Sequence, residues 1–287
     1  KQWMINNGEW IATAPMIKTA GFHISELYSV WSTWADMALN FLEAKKNPET
    51  LKTYINTSLG ESFEEQGTSV DYEDLLDRRL NYSINKIPEE ALVLVAGCDL
   101  QKDRIEITIA AFCRDFECYV LDHRILWGDP NSAVVWDDLD NLLKKRFKTE
   151  GGRSMPISCC TIDSGGLHTN QCYQFTKPRQ GRRIFAVKGL SVAGKPIANK
   201  PSFVGKNRAV LYGVGTDQAK ELIYGRLAAE PDKSTLHFSS ELDQEYFKQL
   251  TAEKRVTKYL RGRPQMIWKQ IRKRNESLDC LVYCFAA

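Results

Sequence analysis

Between Ala91 and Gly128 the chain reads "ALVLVAGCDLQKDRIEITIAAFCRDFECYVLDHRILWG", and this stretch limits the possible folds more than any other. Residues 91 to 100 are a continuous apolar run suited to a central strand. Residues 104 to 114 alternate, with Ile105, Ile107 and Ile109 on one face and Glu106 and Thr108 on the other, and residues 118 to 128 follow after a short polar turn. Three consecutive strands with tight connections predict an antiparallel meander.

After "GDPN", with Pro130 placed for a first helical turn, residues 132 to 147 set Trp136, Leu139, Leu142, Leu143 and Phe147 at helical spacing. "PISCCTID" (156 to 163) reads as a fourth strand, "HTNQCYQF" as a helix and "RRIFAVKG" (182 to 189) as a fifth strand. A basic loop, a strand near 210 to 214, helices near 217 to 228 and 239 to 250, a basic hairpin from 256 to 271 and a closing helix complete the pattern. Strand, strand, strand, helix, strand, helix, strand is the element order of an α/β, RNase H-like (RuvC-like) mixed sheet with flanking helices. In it the first strand lies between the meander and the fourth strand, which is reached by a right-handed crossover. Upstream, one predicted helix carries Trp34, Met37, Ala38, Phe41 and Leu42 on one face and a second ends near Gly60. The expected organisation is a helical extension over 1–60 that precedes the main domain. An acidic linker over 61–90, with a short helix around Tyr72 to Leu80, and the sheet domain over 91–287 follow.

A composition of 287 residues, 43% of them hydrophobic, supplies a large core, and no apolar run is long enough for a membrane span. The start, Lys1-Gln2-Trp3, is neither a signal peptide nor an initiator methionine, so the chain reads as a fragment. The eight cysteines fall mostly in apolar runs without a CxxC pair, which fits reduced core thiols rather than a zinc site. The net charge is only +3, but between Asp163 and Asp217 there is no acid among nine Lys and Arg. Lys254 to Asn275 is a second such stretch. Segregation of this kind predicts a polyanion-facing surface, against the plainer reading of two solvated loops. The candidate DNA contacts are Arg182, Arg183, Lys188, Lys195, Arg261, Arg263, Arg272, Lys273 and Arg274.

In the predicted sheet Asp99 closes the first strand and Asp163 the fourth, at a topological switch point, so the two carboxylates are expected to be neighbours. Side by side they repel, and hard divalent ions such as Mg²⁺ or Mn²⁺ are the usual remedy. Two such ions about 3.5 to 4 Å apart are able to clamp the attacking water and leaving oxygen of a phosphodiester. Asp279, an acid among Leu278, Leu281, Val282 and Tyr283, is the expected third ligand. Each acid also has a plainer reading: Asp99 as a turn residue, Asp163 as a turn or helix-capping acid, and Asp279 as a first-turn acid favoured by the helix dipole after Asn275 or Ser277. Glu106 is a possible fourth ligand or a polar-face residue. Asp217 is a reserve ligand or a first-turn acid behind a Thr216 cap. His168 is a substrate contact or a surface histidine, and Lys188 a phosphate contact or a solvated lysine. No GxSxG turn and no GxxxxGK[ST] loop occurs, so neither nucleophilic catalysis nor ATP hydrolysis is expected of this chain.

The segments "GFHISELYSVW", "NTSLGESFEE", "GCDLQKDRIEITIAAF", "WGDP", "IDSGGLHT", "AVKG", "VGTDQAKELIYGRL" and "NESLDCLVYCFAA" together resemble the large terminase subunit of tailed phages, in its lambda-type branch, from about Gly21 to the end. The resemblance implies a motor ATPase followed by an RNase H-like, metal-dependent nuclease that cuts concatemeric viral DNA, with this chain as the nuclease part. It carries the acidic cluster onto Asp99 in "GCDLQ", Asp163 in "IDSGG" and Asp279 in "SLDCLVY". Cys98 and Leu100 depart from the Val-type neighbours of the first acid, which alters packing and leaves the carboxylate. It further implies double-stranded DNA, the small terminase subunit and the portal as partners of the full-length protein, with the portal-engaging tail absent here, and the host cytoplasm as location. The rivals are a non-catalytic DNA-binding or assembly module on the same fold, and another RNase H-like enzyme such as a resolvase or transposase.

Overall fold

The computed structural model describes residues 2–12, 19, 21–45, 48–61, 63, 70–190, 192, 194–204, 208–260 and 263–287, with backbone alone for 48–49, 258–260 and 263–265. The chain divides into two compact units, residues 1–67 with 256–265, and residues 68–255 with 266–287.

The first unit contains α1 (Gln2–Asn7), α2 (Trp34–Ala44) and α3 (Pro48–Tyr54). Thr33 opens α2 with a capping box: its side chain accepts from the Asp36 N–H while the Asp36 carboxylate accepts from the Thr33 N–H. Of the apolar face expected on α2, Met37 is buried while Trp34, Phe41 and Leu42 stay well exposed. A wider turn over Ile55–Leu59 follows α3 and stops at Gly60, whose φ of 69° is the left-handed conformation glycine tolerates.

In the second unit α4 (Tyr72–Asp77) is capped by Asp71, and Leu75, Tyr82, Ile84, Ile87 and Ala91 are all buried. The acidic stretch expected as a linker is therefore part of the core from about Val70 onward. Its acids stay at the surface while apolar residues spaced among them turn inward, and net acidity conceals that pattern.

The meander forms as expected from β1 (Val93–Leu100), β2 (Arg104–Phe112) and β3 (Cys118–Trp127), paired antiparallel. α5 (Ala133–Leu143) starts on a Ser132 cap and ends earlier than its apolar spacing suggested, because β4 (Arg146–Lys148) pairs with β5 (Ser154–Asp163). Then come α6 (Thr169–Thr176), β6 (Ile184–Leu190), β7 (Ala198–Val204), β8 (Ala209–Gly215), α7 (Thr216–Ala228), β9 (Leu236–Phe238) and α8 (Gln244–Leu250). A ribbon of β10 (Glu253–Leu260) and β11 (Arg263–Gln270) precedes α9 (Glu276–Ala286).

Among the described residues the large sheet has the order β7-β8-β6-β5-β1-β2-β3-β9, with β5, β6 and β8 parallel to β1. The middle of this order is the RNase H-like arrangement, the first strand lying between the meander and the fourth. β7 replaces part of the expected basic loop; it is an edge strand, where exposed Lys200 and Pro201 are tolerated.

Both faces of the sheet are covered. Leu94, Ala96, Cys98, Ile105, Ile107 and Ile109 pack with α5 and α6, whereas Val95, Val120, Val187 and Val214 pack with α7, α8 and α9. Period-2 alternation therefore turns Gly97, Asp99, Glu106 and Thr108 toward the α9 layer. α9 lies directly on β1: a Cβ at Gly97 would sit 2.1 Å from the Cys280 carbonyl oxygen and 2.7 Å from the Cys284 nitrogen. Thr161 Oγ1 donates to the Tyr283 carbonyl at 2.8 Å, and the Cys280 and Cys284 thiols donate to the Glu106 and Thr108 carbonyls at 3.3 Å. These contacts set the register of α9 against the strands, and so the height of Asp279.

Candidate active site

The parallel strands β1, β5, β6 and β8 all end at one edge of the sheet. Asp99 is the penultimate residue of β1, and Cys98 is level with Ile162, so Asp99 lies beside Asp163, the last residue of β5. Asp279 is in the first turn of α9, the end that reaches this edge. Asp99 is 7% exposed, Asp163 is half-buried and the Asp279 side chain is 26% exposed, so one acid forms the floor and two form the rim.

The three acids feel one another. Burial, then the charges of Asp279 and Asp163, push the Asp99 carboxyl up to about 8. Burial also raises Asp163, against hydrogen bonds from the Gly165 N–H and the Tyr283 phenol and the charge of Lys188. Asp279 is pushed up to about 6, by burial first, with Lys220 opposing. Neutral donors fix the carboxylates: Gln101 Nε2 donates to Asp99 Oδ2 at 2.6 Å, the Gly165 N–H to Asp163 Oδ1 at 2.9 Å, and Asn275 Nδ2 to Asp279 Oδ2 at 3.0 Å.

Acids raised by burial, with repulsion from neighbouring acids adding to the shift at Asp99 and Asp279, make a region short of positive charge, and an all-oxygen donor set suits Mg²⁺ or Mn²⁺. The residues therefore fit such ions in chemistry. Among the described residues no three His, Cys, Asp or Glu side chains already stand around a single ion position, so the trio is a cluster of neighbouring charges rather than a formed cage.

The other predicted residues divide by position. Lys188 lies near the end of β6, exposed and close enough to lower Asp163. Lys195 is on the same edge, since its carbonyl lies 2.1 Å from where a Gly215 Cβ would project at the end of β8. Asp217 is in the first turn of α7, but the helix begins on Thr216 itself after Gly215 and has no side-chain cap. His168 is 5% exposed, and neither ring nitrogen has a hydrogen-bond partner, so it is not the surface histidine of the plainer reading.

Glu106 is fully buried, which the polar-face reading missed because α9 covers that face. It is no spare ligand: Arg104 Nε at 2.6 Å and Arg274 Nη2 at 2.7 Å share its Oε1, and His123 Nε2 lies 3.4 Å from its Oε2. Burial acts to raise this carboxyl, yet His123, Arg104 and Arg274 hold it down at about 2. Arg274 also reaches Glu276 at 3.3 Å, so this expected DNA contact is committed to internal acids.

Arg182 and Arg183 precede β6 and sit at the edge opposite the three acids. Arg182 Nη1 is 2.6 Å from Asp140, which also pairs with Arg179 and Lys144 and is held well below the usual carboxylate range. The cavity lined by Leu143, Pro156, Cys160 and Arg182 is at that edge too and contains none of the three acids. Arg272 and Lys273 are exposed. Arg261 and the Arg263 side chain lie outside the described residues.

Sequence reasoning missed Tyr283, Gln101, Asn275, Glu253 and Lys220. Tyr283 was within reach, because it follows Asp279 by four residues and so shares its helical face. Lys220 and Glu253 carried no local signal, since only the tertiary meeting of α7, the start of β10 and α9 brings them to Asp279.

The chain matches the family model described as the endonuclease domain of the terminase large subunit gpA over residues 19–287. It is 34% identical over 283 residues to the "Terminase, large subunit" of Enterobacteria phage P21, covering 95% of this chain and 44% of that protein. To the protein of the same name from Escherichia phage lambda it is 33% identical over 294 residues, covering 99% of this chain and 45% of that one. The chain thus spans about half the length of these curated relatives. The crystal structure of the HK97 bacteriophage large terminase superposes with a TM-score of 0.41 at 12% identity, over 90% of this chain and 52% of that one, a likeness too slight to build on. On the strength of the family match and the two relatives, the chain belongs to the terminase large subunit gpA endonuclease-domain family.

Proposed function

We propose that this chain is a divalent-metal-dependent DNA endonuclease that cuts concatemeric viral DNA during genome packaging in the host cytoplasm. Double-stranded DNA is its substrate, and the small terminase subunit and portal are partners of the longer protein. The observation that carries the reading is the meeting of Asp99, Asp163 and Asp279 at one sheet edge, where Asp99 is raised to about 8 by burial and by the other two. Asp99, Asp163 and Asp279 would hold Mg²⁺ or Mn²⁺. Bound as a pair, such ions supply an activated water and offset charge on the leaving oxygen of a phosphodiester.

The chain's own residues prepare for this. Gln101 and the Gly165 N–H hold Asp99 and Asp163 against rotation, while the Tyr283 phenol, on the α9 side, acts to lower Asp163. Lys188 and Lys195, on the same edge, are placed to hold backbone phosphates, which positions a duplex without reading its sequence. Arg182, Arg183 and Arg274 have no part in that contact.

Supercoiled plasmid incubated with the protein and Mg²⁺ or Mn²⁺ should be nicked or linearised. EDTA or Asp99→Ala should each stop it, lowering the rate by at least about 10²-fold. Cleavage that persists under both treatments is incompatible with the proposal.

A further inference from the structure

Near Asp279 a second carboxylate and a lysine form a cluster that the metal-binding trio leaves unexplained. Lys220 is one turn into α7, with its side chain 11% exposed. Its Nζ lies 2.7 Å from Oε1 of Glu253, itself only 7% exposed at the side chain, and 3.6 Å from Oδ1 of Asp279. Asn275 Nδ2 donates to the same two groups, at 3.0 Å to Glu253 Oε1 and 3.0 Å to Asp279 Oδ2. Two carboxylates from different elements are thus tied together twice, once by an amide and once by an ammonium.

We propose that Lys220 is a positioning residue, a built-in cation that occupies the space between Glu253 and Asp279 and keeps Asp279 turned toward Asp99 and Asp163. This rests on the metal-dependent nuclease reading. Two acids this close require a positive charge between them, and a lysine supplies it without competing for Asp99 or Asp163. With Lys220 in place Glu253 is occupied and Asp279 keeps one preferred direction. Without it, Glu253 and Asp279 become an open pair of oxygen donors, and a dication is drawn toward Glu253, away from the reacting phosphate. Lys220 is also the strongest influence opposing the upward shift of Asp279.

An ordinary core ion pair behaves differently. Breaking one loosens the fold, and metal affinity and turnover fall together. A stand-in cation, when removed, shifts the two in opposite directions.

The test is Mn²⁺ titration followed by electron paramagnetic resonance of the free ion, alongside plasmid nicking at saturating Mn²⁺. Lys220→Met should bind Mn²⁺ at least about fivefold more tightly, because a buried positive charge has gone, and nick at least about tenfold more slowly. Lys220→Arg, which keeps the charge, should recover most of both. Glu253→Gln leaves Lys220 with Asp279 alone and should weaken Mn²⁺ binding, which serves as the readout if Lys220→Met does not fold. Unchanged or weaker Mn²⁺ affinity in Lys220→Met, or unchanged affinity in Glu253→Gln, overturns this role for Lys220. The nuclease reading survives that result so long as the unaltered protein binds Mn²⁺ in an Asp99-dependent way. Failure of the unaltered protein to bind Mn²⁺ overturns both.

Discussion

Asp99 and Glu106 are cross-strand partners on β1 and β2, point to the same face of the sheet and are both buried. Their carboxyl groups nevertheless end far apart, one pushed up to about 8 and the other held at about 2. Burial opposes ionisation in both, so burial does not decide the outcome. The surroundings do: Glu106 has Arg104, Arg274 and His123 around it, whereas Asp99 has one neutral donor, Gln101, and three more acids, Asp279, Asp163 and Glu276. A completed ion cluster secures the fold, and an incomplete one has a reason to exist only if a cation arrives from outside.

The largest expected effect separates these two neighbours directly. Glu106→Ala leaves Arg104 and Arg274 without the acid they share, and should cost about 3 to 5 kcal/mol in urea unfolding. Asp99→Asn removes a charge that nothing offsets. Without metal near pH 8 it should cost less than about 1 kcal/mol or stabilise the protein. Equal losses for both substitutions would erase the distinction.

Gly97→Ala probes how α9 brings Asp279 to the same edge. A methyl group there would meet the Cys280 carbonyl at 2.1 Å, so α9 must lift from β1. The expected cost is about 1 to 3 kcal/mol, with a loss of plasmid cleavage out of proportion to the loss of stability. Cleavage that tracks the folded fraction alone would show that the height of α9 is not critical.

Acidity gives a smaller but directional effect. Asp99 and Asp279 have folded values, about 8 and about 6, above the ordinary 3.8, so in metal-free protein they favour the folded state most below about pH 4. That contribution is lost as pH rises through 6 and then 8, by at most about 1.4 kcal/mol per pH unit for each group. Glu106 has the opposite sign: its contribution is present above about 4.5 and is lost as pH falls toward 2. Thermal melts in EDTA should therefore drop between about pH 5 and 8. Mg²⁺ should reverse the drop, and Asp99→Asn should flatten it. A melting temperature independent of pH in EDTA would contradict the uncompensated state of Asp99.

Much of this was readable in the sequence because it follows from short-range periodicity. The apolar run ending in Asp99, the alternation through Ile105, Ile107 and Ile109 and the run ending in Asp163 specify strands whose order allows few topologies. The sequence could not disclose which carboxylates would be neutralised. Glu106 and Arg274 are 168 residues apart, as are no motif's members, and their meeting depends on α9 crossing β2. The same holds for Lys220, Glu253 and Asp279. The acidic stretch around Leu75 and Ile84 was misread because its charge was averaged, while its few apolar residues carry the packing. Long-range charge pairing leaves no local trace, so a basic residue that serves the fold reads like one that serves DNA.

That ambiguity sets the smallest test, which carries the comparison of completed and incomplete clusters over to the basic residues. Arg182 is spent on Asp140 at one edge of the sheet, whereas Lys188 and Lys195 stand exposed at the edge where the acids meet. Binding of duplex DNA in EDTA should weaken with salt, and each phosphate contact contributes about 0.9 to the slope of log affinity against log salt. Lys188→Ala and Lys195→Ala should each lower that slope by about this amount. Arg182→Ala should leave it unchanged, while exposing Asp140 to a partial loss of its own pairing. A slope that responds to Arg182 and ignores both lysines would move the duplex to the opposite edge of the sheet, away from Asp99, and would separate the basic surface from the acids it is meant to serve.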